Sequence, residues 1–247
     1  MTPIIIIGPG RSGTSLLFDA LSQHSQVESN GCQEPLCGRY EAYKPYHTFV
    51  KYEIGIDPEQ NKLINPHQDL DLYKKFACQE YLSHILKHQN IIKILYPHFL
   101  LSNIKKYIHT HDSFVIHMCR RNITSTILST EIQRNKSLNN TGPLSITEGR
   151  YVNRFFKILN DERFVDHVFD KKIFKIYYEN LLEKWDFYMS EIQRRTDLNH
   201  EVLSPNHPKT IDYHFEMNFQ TLMFQKKLKL GLISSFGRLK SKYEYKL

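Results

Sequence analysis

The chain has 247 residues, of which 40% are hydrophobic and 13% aromatic, and its formal net charge is +7 at pH 7. That length allows one domain with a full core, and that composition excludes a disordered or fibrous chain. No apolar run reaches the length of a membrane-spanning helix, and the cysteines and histidines show no zinc-ligand spacing. We therefore expect a globular protein without a zinc site, whose cysteines are free thiols.

The positive charge is concentrated at the C-terminal end. Residues 226–247 include seven basic residues and one acid, a balance of +6, which leaves the other residues close to +1. Apolar residues are interspersed with these charges, so the tail is predicted to be a solvated helix with one packed face. An amphipathic segment that contacts a membrane surface or a partner is the alternative. No recognition motif accompanies the charge, so nucleic acid is not expected as a partner.

Apolar runs and apolar periodicity predict an alternation of strands and helices along the chain. The predicted strands are 3–8, 90–95, 113–119 and 173–178. The predicted helices are 14–24, 68–88, 99–108, 122–134, 148–160, 179–196 and 213–229. This alternation is typical of a three-layer α/β fold, a mostly parallel sheet flanked by helices. We expect a single domain over residues 1–247, with its ligand at the carboxyl ends of the strands.

The first predicted strand runs into a glycine-rich turn that is followed by a helix. The turn reads Gly-Pro-Gly-Arg-Ser-Gly-Thr-Ser over residues 8–15. Backbone N–H groups at the start of a helix are unpaired and partly positive, so this arrangement predicts a phosphate-binding site. Gly8 and Gly13 have the spacing of a nucleotide P-loop, but Thr14 stands where that motif requires lysine. A cation, Arg11, lies inside the loop instead.

The third predicted strand ends in a second group of anion-binding side chains. Arg120 and Arg121 follow the apolar run 113–119, and Ser129 lies eight residues beyond Arg121 in the next predicted helix. A guanidinium offers a planar pair of donors to a phosphate, and a serine hydroxyl adds a neutral donor. Both motifs lie at the carboxyl ends of strands, so one ligand is expected to contact both.

These two motifs together resemble the donor site of sulfotransferases that use 3′-phosphoadenosine 5′-phosphosulfate (PAPS). The turn is similar to their 5′-phosphosulfate loop, and Arg121 with Ser129 is similar to their 3′-phosphate site, where Arg120 is the rival arginine. The resemblance spans about residues 3–225 and implies a P-loop NTPase-like fold, PAPS as donor, 3′-phosphoadenosine 5′-phosphate (PAP) as product and no metal. The residues that it implies for the nucleotide are Gly10, Arg11, Ser12, Gly13, Thr14, Ser15, Arg121, Ser129 and Lys209.

Three weaker matches extend the same resemblance. Lys93 and Pro97 are similar to a lysine and a proline near the end of a family strand. Tyr178 and Glu179 are similar to a Tyr-Glu-x-Leu element, and we expect them to be packing and helix-start residues. Lys209 lies in a segment similar to a C-terminal loop that closes on the nucleotide.

The candidate catalytic base follows the first predicted helix. Glu34 with Pro35 resembles the Glu-Pro element of carbohydrate and bacterial sulfotransferases, in which the carboxylate removes the acceptor proton. Many cytosolic relatives use a histidine, so His47, His98 and His117 are alternative bases. His117 lies inside an apolar strand and is expected to be a core residue.

Arg11 is the second candidate catalytic residue, because an arginine beside the transferred group stays charged and stabilises the bridging oxygen. The resemblance implies transfer of a sulfonyl group to a hydroxyl or amine of a small polar metabolite, such as a natural product modified late in its biosynthesis. Residues 35–66 and 135–147 break the alternation of elements and are expected to form the acceptor-site walls or a lid.

Three other functions stay open at this point: a carbohydrate or glycolipid sulfotransferase, a P-loop nucleotide kinase, and a non-catalytic nucleotide-binding module. The missing loop lysine argues against the kinase. The loop begins at Gly8, which leaves no room for a signal peptide, so we expect a cytoplasmic enzyme. The basic tail leaves peripheral membrane contact open, and the oligomeric state is not specified.

Overall fold

The structure, a computed structural model, describes residues 2–29, 33–34, 79–99, 102–137, 147–169 and 173–205. All of these residues belong to one compact unit, Met1–Asn206. The described strands are β1 (Ile4–Gly8), β2 (Ile91–Leu95), β3 (Phe114–Cys119) and β4 (Ile173–Tyr177). The described helices are α1 (Thr14–Leu21), α2 (Gln79–His88), α3 (Tyr96–Phe99), α4 (Ser102–Thr110), α5 (Ile123–Ser137), α6 (Glu148–Phe169), α7 (Tyr178–Glu183) and α8 (Trp185–Arg195).

The described strands form a parallel sheet in the order β2-β1-β3-β4. β1 lies inside the sheet, where Ile4 pairs with Ile91 of β2 and with Phe114 of β3. Every residue of β1 is buried, which is why its sequence is a continuous apolar run. Because the strands are parallel, the carboxyl ends of β1, β2 and β3 meet at one edge of the sheet. The glycine-rich loop after β1 therefore lies beside the residues that follow β3.

Helices cover both faces of the sheet and enclose a buried apolar cluster on each. On one face, Ile5 and Ile7 belong to a cluster with side chains of α2, α4 and α6. On the other face, Ile4 and Ile6 belong to a cluster with side chains of α1 and α8. The predicted fold class, a three-layer and P-loop-like α/β arrangement, is confirmed.

The main errors of the sequence prediction are at helix boundaries. The first helix ends at Leu21 rather than at residue 24. The helix predicted over 148–160 continues to Phe169, because Val165 and Phe169 extend its buried face. The helix predicted over 179–196 is interrupted at Lys184, whose φ of −127° and ψ of 45° are not helical. The interruption is followed by Trp185, whose Nε1 donates a hydrogen bond to a backbone carbonyl at 2.6 Å.

The helices predicted over 99–108 and 122–134 are observed as Ser102–Thr110 and Ile123–Ser137, whereas the strand boundaries agree more closely. The predicted strands agree with β1 to β4 within one residue at each end. The helix predicted over 99–108 is α4, preceded by the short α3. The predicted helix 213–229, the basic tail and residues 35–66, 68–78 and 138–146 lie outside the described residues, so the single-domain extent and the acceptor-site walls stay predictions. Within the described ranges, no helix is both long and apolar enough to cross a membrane.

Candidate active site

Residues 9–13 connect β1 to α1 at the carboxyl edge of the sheet. Arg11 has a φ of 69° and Gly13 a φ of 87°, so both have left-handed backbone conformations. The Ser12 hydroxyl is buried and donates a hydrogen bond to the Pro9 carbonyl oxygen at 2.7 Å, which closes the loop on itself. Gly13 is the N-cap residue of α1, and no described side chain caps the helix there. The N–H groups of the first turn are therefore open to an anion.

Two of the loop glycines allow neighbouring strands and helices to approach closely. A Cβ atom on Gly8 would lie 2.6 Å from the Met118 carbonyl oxygen of β3. A Cβ atom on Gly13 would overlap the ring of Tyr178, which begins α7. Among the described residues, Gly10 has no such neighbour within 4 Å. The loop is thus held against the ends of β3 and β4 at two glycine positions, which explains the spacing of the motif.

The two motifs found in the sequence meet at Arg11. The Nε atom of Arg11 donates a hydrogen bond to the Ser129 hydroxyl of α5 at 2.9 Å, across 118 positions of sequence. Arg120 Nη1 donates a hydrogen bond to the Arg11 carbonyl oxygen at 3.2 Å. The loop after β1 and the turn after β3 therefore form one continuous polar surface.

A carboxylate holds the turn between β3 and α5. Glu179 of α7 accepts hydrogen bonds from the N–H groups of Arg121, at 3.1 Å, and Asn122, at 3.3 Å. The guanidinium of Arg120 lies over the Tyr178 ring, 5.0 Å from its centroid, whereas the Arg121 side chain is exposed. Glu179 was expected only to begin a helix; it also positions the start of α5, as an acid near a helix N-terminus favours.

The candidate base Glu34 forms an ion pair with Lys93 of β2. Lys93 Nζ lies 2.7 Å from Glu34 Oε1, and the two side chains are 3% and 15% exposed, respectively. The same ammonium group donates hydrogen bonds to Ser15 Oγ at 2.7 Å and to Gln33 Oε1 at 3.2 Å. Ser15 belongs to the first turn of α1, so the ion pair lies beside the helix start that is open to an anion.

A second carboxylate, Asp19, lies one turn further along α1. Gln33 Nε2 donates a hydrogen bond to Asp19 Oδ1 at 2.6 Å. Burial raises the pKa of the Asp19 carboxyl, and the positive charge of Lys93 opposes that rise. Neither Asp19 nor Gln33 was predicted from the sequence to be part of this site. The available signals were a lysine inside an apolar strand and the i, i+4 spacing of Ser15 and Asp19 on one helix face.

His117, one of the alternative bases, lies inside the core on the opposite face of the sheet. It is fully buried, and its Nδ1 lies 2.9 Å from Asp166 Oδ1 while its Nε2 lies 2.6 Å from the Tyr96 hydroxyl. Since Asp166 accepts from Nδ1–H, Tyr96 donates to Nε2. Burial lowers the pKa of His117 more than Asp166 raises it, so the ring is held neutral. This environment is that of a core histidine, as expected.

Of the other predicted site residues and alternative bases, some are described by the structure and others are not. Thr14 is buried at the start of α1. Lys209, His47 and the side chain of His98 lie outside the described residues. Within the described part of the chain, no group of three or more His, Cys, Asp or Glu side chains is arranged to hold a metal ion.

Comparisons with known proteins identify a family that matches this chain and a solved structure with a similar fold. A protein-family model described as "Sulfotransferase family" matches residues 3–201. The solved "Sulfotransferase Domain from the Curacin Biosynthetic Pathway" is 15% identical with a TM-score of 0.51, over 81% of this chain and 75% of that one. "Shikimate kinase from Acinetobacter baumannii in complex with shikimate" is 11% identical with a TM-score of 0.39, over 77% and 94%. No curated protein matches the chain.

Proposed function

Since this chain belongs to the sulfotransferase family, we propose that it transfers a sulfonyl group from PAPS to a hydroxyl or amine of a small polar metabolite. The observation that carries the proposal is the 2.9 Å contact between Arg11 Nε and Ser129 Oγ. Arg11 belongs to the loop proposed for the 5′-phosphosulfate, and Ser129 to the group proposed for the 3′-phosphate. PAPS carries both anionic groups on one ribose, so their two sites must adjoin each other.

The start of α1 is the proposed site of the 5′-phosphosulfate. The N–H groups of the first turn of α1 have no partner within the helix, and the helix dipole favours an anion beside them. The hydroxyls of Thr14 and Ser15 add neutral donors. The Ser12 hydroxyl is already bonded to the Pro9 carbonyl oxygen, so the proposed role of Ser12 is to shape the loop and to offer its N–H group.

Arg121 is the proposed ligand of the 3′-phosphate, together with Ser129. Arg120 donates a hydrogen bond to the Arg11 carbonyl oxygen, whereas Arg121 is exposed beside the start of α5. Each guanidinium also lies over a tyrosine ring, Arg120 over Tyr178 and Arg121 over Tyr177. We therefore assign loop positioning to Arg120 and phosphate binding to Arg121. Gly10 completes the proposed donor site by leaving space beside the loop. Lys209 lies outside the described residues, so its contact with the nucleotide stays a prediction from the sequence.

The proposed chemistry is an in-line displacement at sulfur. The acceptor oxygen or nitrogen forms a bond to sulfur while the bond from sulfur to the bridging oxygen breaks, and PAP leaves with that electron pair. Glu34 takes the acceptor proton as general base. Arg11 keeps its own proton and stabilises the negative charge that develops on the bridging oxygen. Backbone dipoles and arginines supply the positive charge that the reaction needs.

The proposed acceptor is small because of the position of the candidate base. The Glu34 side chain is only 15% exposed, so an acceptor group must enter a partly enclosed space to reach its carboxylate. A hydroxyl or amine on a compact molecule meets that requirement. We further propose that this acceptor is a natural product that the enzyme modifies late in its biosynthesis.

The donor site is tested by calorimetric titration with PAP, using ADP as the comparison ligand and repeating both with and without magnesium. We expect metal-independent binding of PAP that depends on its 3′-phosphate. Arg121→Ala should weaken it by about tenfold or more, because a charge-assisted pair of hydrogen bonds is lost. A preference for ADP with magnesium would contradict the proposed function and favour a P-loop nucleotide kinase.

The catalytic step is tested by the release of PAP from PAPS in the presence of a panel of sugars, phenols and amino alcohols. Glu34→Gln keeps the shape of the side chain and removes its basicity. We expect PAP to bind this variant as it binds the wild type, while the rate of transfer falls by about 10²–10⁴-fold. A wild-type protein that binds PAP and turns over none of the panel would favour a non-catalytic binding module.

A further inference from the structure

Lys93 is a buried cation inside a strand that is otherwise apolar. The strand β2 reads Ile-Ile-Lys-Ile-Leu, and the Lys93 side chain is 3% exposed. Lysine is almost never fully buried unless it is paired, because removing an ammonium group from water is costly. A neutral side chain of the same length would fill the space without that cost. The charge of Lys93 therefore requires an explanation from its partners.

Those partners are all on the side of the sheet that α1 covers. Lys93 Nζ lies 2.7 Å from Glu34 Oε1 and donates hydrogen bonds to Ser15 Oγ at 2.7 Å and Gln33 Oε1 at 3.2 Å. The backbone N–H of Lys93 also donates to the Gln33 carbonyl oxygen at 2.8 Å. Residues 33 and 34 are thus attached to β2 through both the main chain and the side chain of one residue.

We propose that Lys93 is a positioning residue that acts through Glu34. Its ammonium group keeps the Glu34 carboxylate ionised and holds it beside the first turn of α1, where the sulfonyl group is proposed to lie. This inference rests on the proposed function, since it assigns a task to Lys93 in the same reaction. It differs from a role in donor binding, in which Lys93 would contact the phosphosulfate itself.

The geometry favours action through Glu34 for two reasons. First, the ammonium group has three N–H donors, and the three observed contacts match them in number. Second, Gln33 is held from its other end, because its Nε2 donates to Asp19 Oδ1 at 2.6 Å. The amide therefore presents its oxygen to Lys93, and Asp19, Gln33, Lys93 and Glu34 form a connected chain that reaches from α1 to the candidate base.

The test measures the protonation of Glu34 directly. Protein labelled with ¹³C at glutamate side-chain carboxyls is titrated by NMR, and the Glu34 resonance is identified by its loss in Glu34→Gln. Lys93→Met removes the charge and keeps the length of the side chain. We expect its Glu34 midpoint to rise by about 1–3 pH units, because a neighbouring cation no longer favours the carboxylate.

Two functional readouts separate positioning from donor binding. In Lys93→Met, the affinity for PAP should stay within about threefold of the wild-type affinity. The release of PAP from PAPS with water as acceptor should slow by about a hundredfold, because a misplaced catalytic group lowers the rate by about that factor. Lys175→Met is the matched control, since Lys175 lies in β4 and pairs with Glu162 at 2.8 Å and Asp166 at 2.6 Å. It should leave the Glu34 midpoint and the release rate unchanged.

An unchanged Glu34 midpoint, or loss of PAP affinity by tenfold or more in Lys93→Met, would overturn the proposal. If Lys93→Met does not fold, the double variant Lys93→Met with Glu34→Gln should fold, because it removes both charges of the buried Lys93–Glu34 ion pair. A double variant that also fails to fold contradicts a role through Glu34. A wild-type protein that binds no PAP and releases none from PAPS refutes the proposed function, while the titration still decides whether Lys93 controls Glu34.

Discussion

Arg11 offers a test in which two variants are expected to lose activity to the same extent and to differ from each other in stability. Its φ of 69° is a left-handed conformation, which costs an L-residue with a Cβ atom about 1–2 kcal/mol. Glycine adopts this conformation without that cost. We therefore compare two substitutions that both remove the guanidinium, Arg11→Gly and Arg11→Ala, and that differ only in their fit to this backbone.

The expected difference in stability follows from three contributions. Both variants lose the hydrogen bond from Arg11 Nε to Ser129 Oγ, so that loss cancels in the comparison. Compared with Arg11→Ala, Arg11→Gly relieves about 1–2 kcal/mol of backbone strain in the folded state. The greater entropy of its unfolded chain lowers its free energy of unfolding by about 0.4–1 kcal/mol. Arg11→Gly should therefore be more stable than Arg11→Ala by about 0.8 kcal/mol, the difference between the midpoints of these two ranges, which is about 2 °C in Tm for a protein of this size.

Thermal unfolding followed by circular dichroism measures that difference, and PAP release from PAPS measures activity. Both variants should lose about 10²–10³-fold in transfer rate, as expected when one donor to a developing negative charge is removed. Equal melting temperatures, or a more stable Arg11→Ala, would refute the assignment of strain to this backbone position. Wild-type turnover in either variant would instead refute the role of Arg11 at the bridging oxygen.

Two further predictions concern the sheet that supports the site. Gly8→Ala should destabilise the fold by about 1–3 kcal/mol, because its Cβ would meet the Met118 carbonyl oxygen. Gly10→Ala should change the free energy of unfolding by less than about 0.5 kcal/mol. Denaturant unfolding of both variants measures this difference, and equal losses of stability would contradict it. Burial lowers the pKa of His117 in the folded state below the ordinary 6.5, so its contribution to stability is present above that pH and is lost as the pH falls through the lowered value. His117→Gln should flatten this part of the stability profile, and a profile unchanged by the substitution would refute the assignment.

The local parts of the candidate site could be predicted from the sequence. The strand, turn and helix of residues 4–21 lie next to one another in the chain, and their apolar run, glycines and helix start are each local signals. Helix ends were less predictable, because the extension of α6 to Phe169 depends on burial against the sheet. The interruption at Lys184 likewise lies beside a tryptophan that bonds to a distant carbonyl.

Contacts between distant residues were decided by the tertiary structure alone. Arg11 and Ser129 meet because β1 pairs with β3 in a parallel sheet, which brings their carboxyl ends to the same edge. Lys93 meets Glu34 because β2 borders β1 on the other side, where α1 covers it. The elements and the chemistry at their ends could be predicted from the sequence, since those depend on neighbouring residues. Strand order and pairing decided which side chains share a site, because they bring together residues that no local pattern relates.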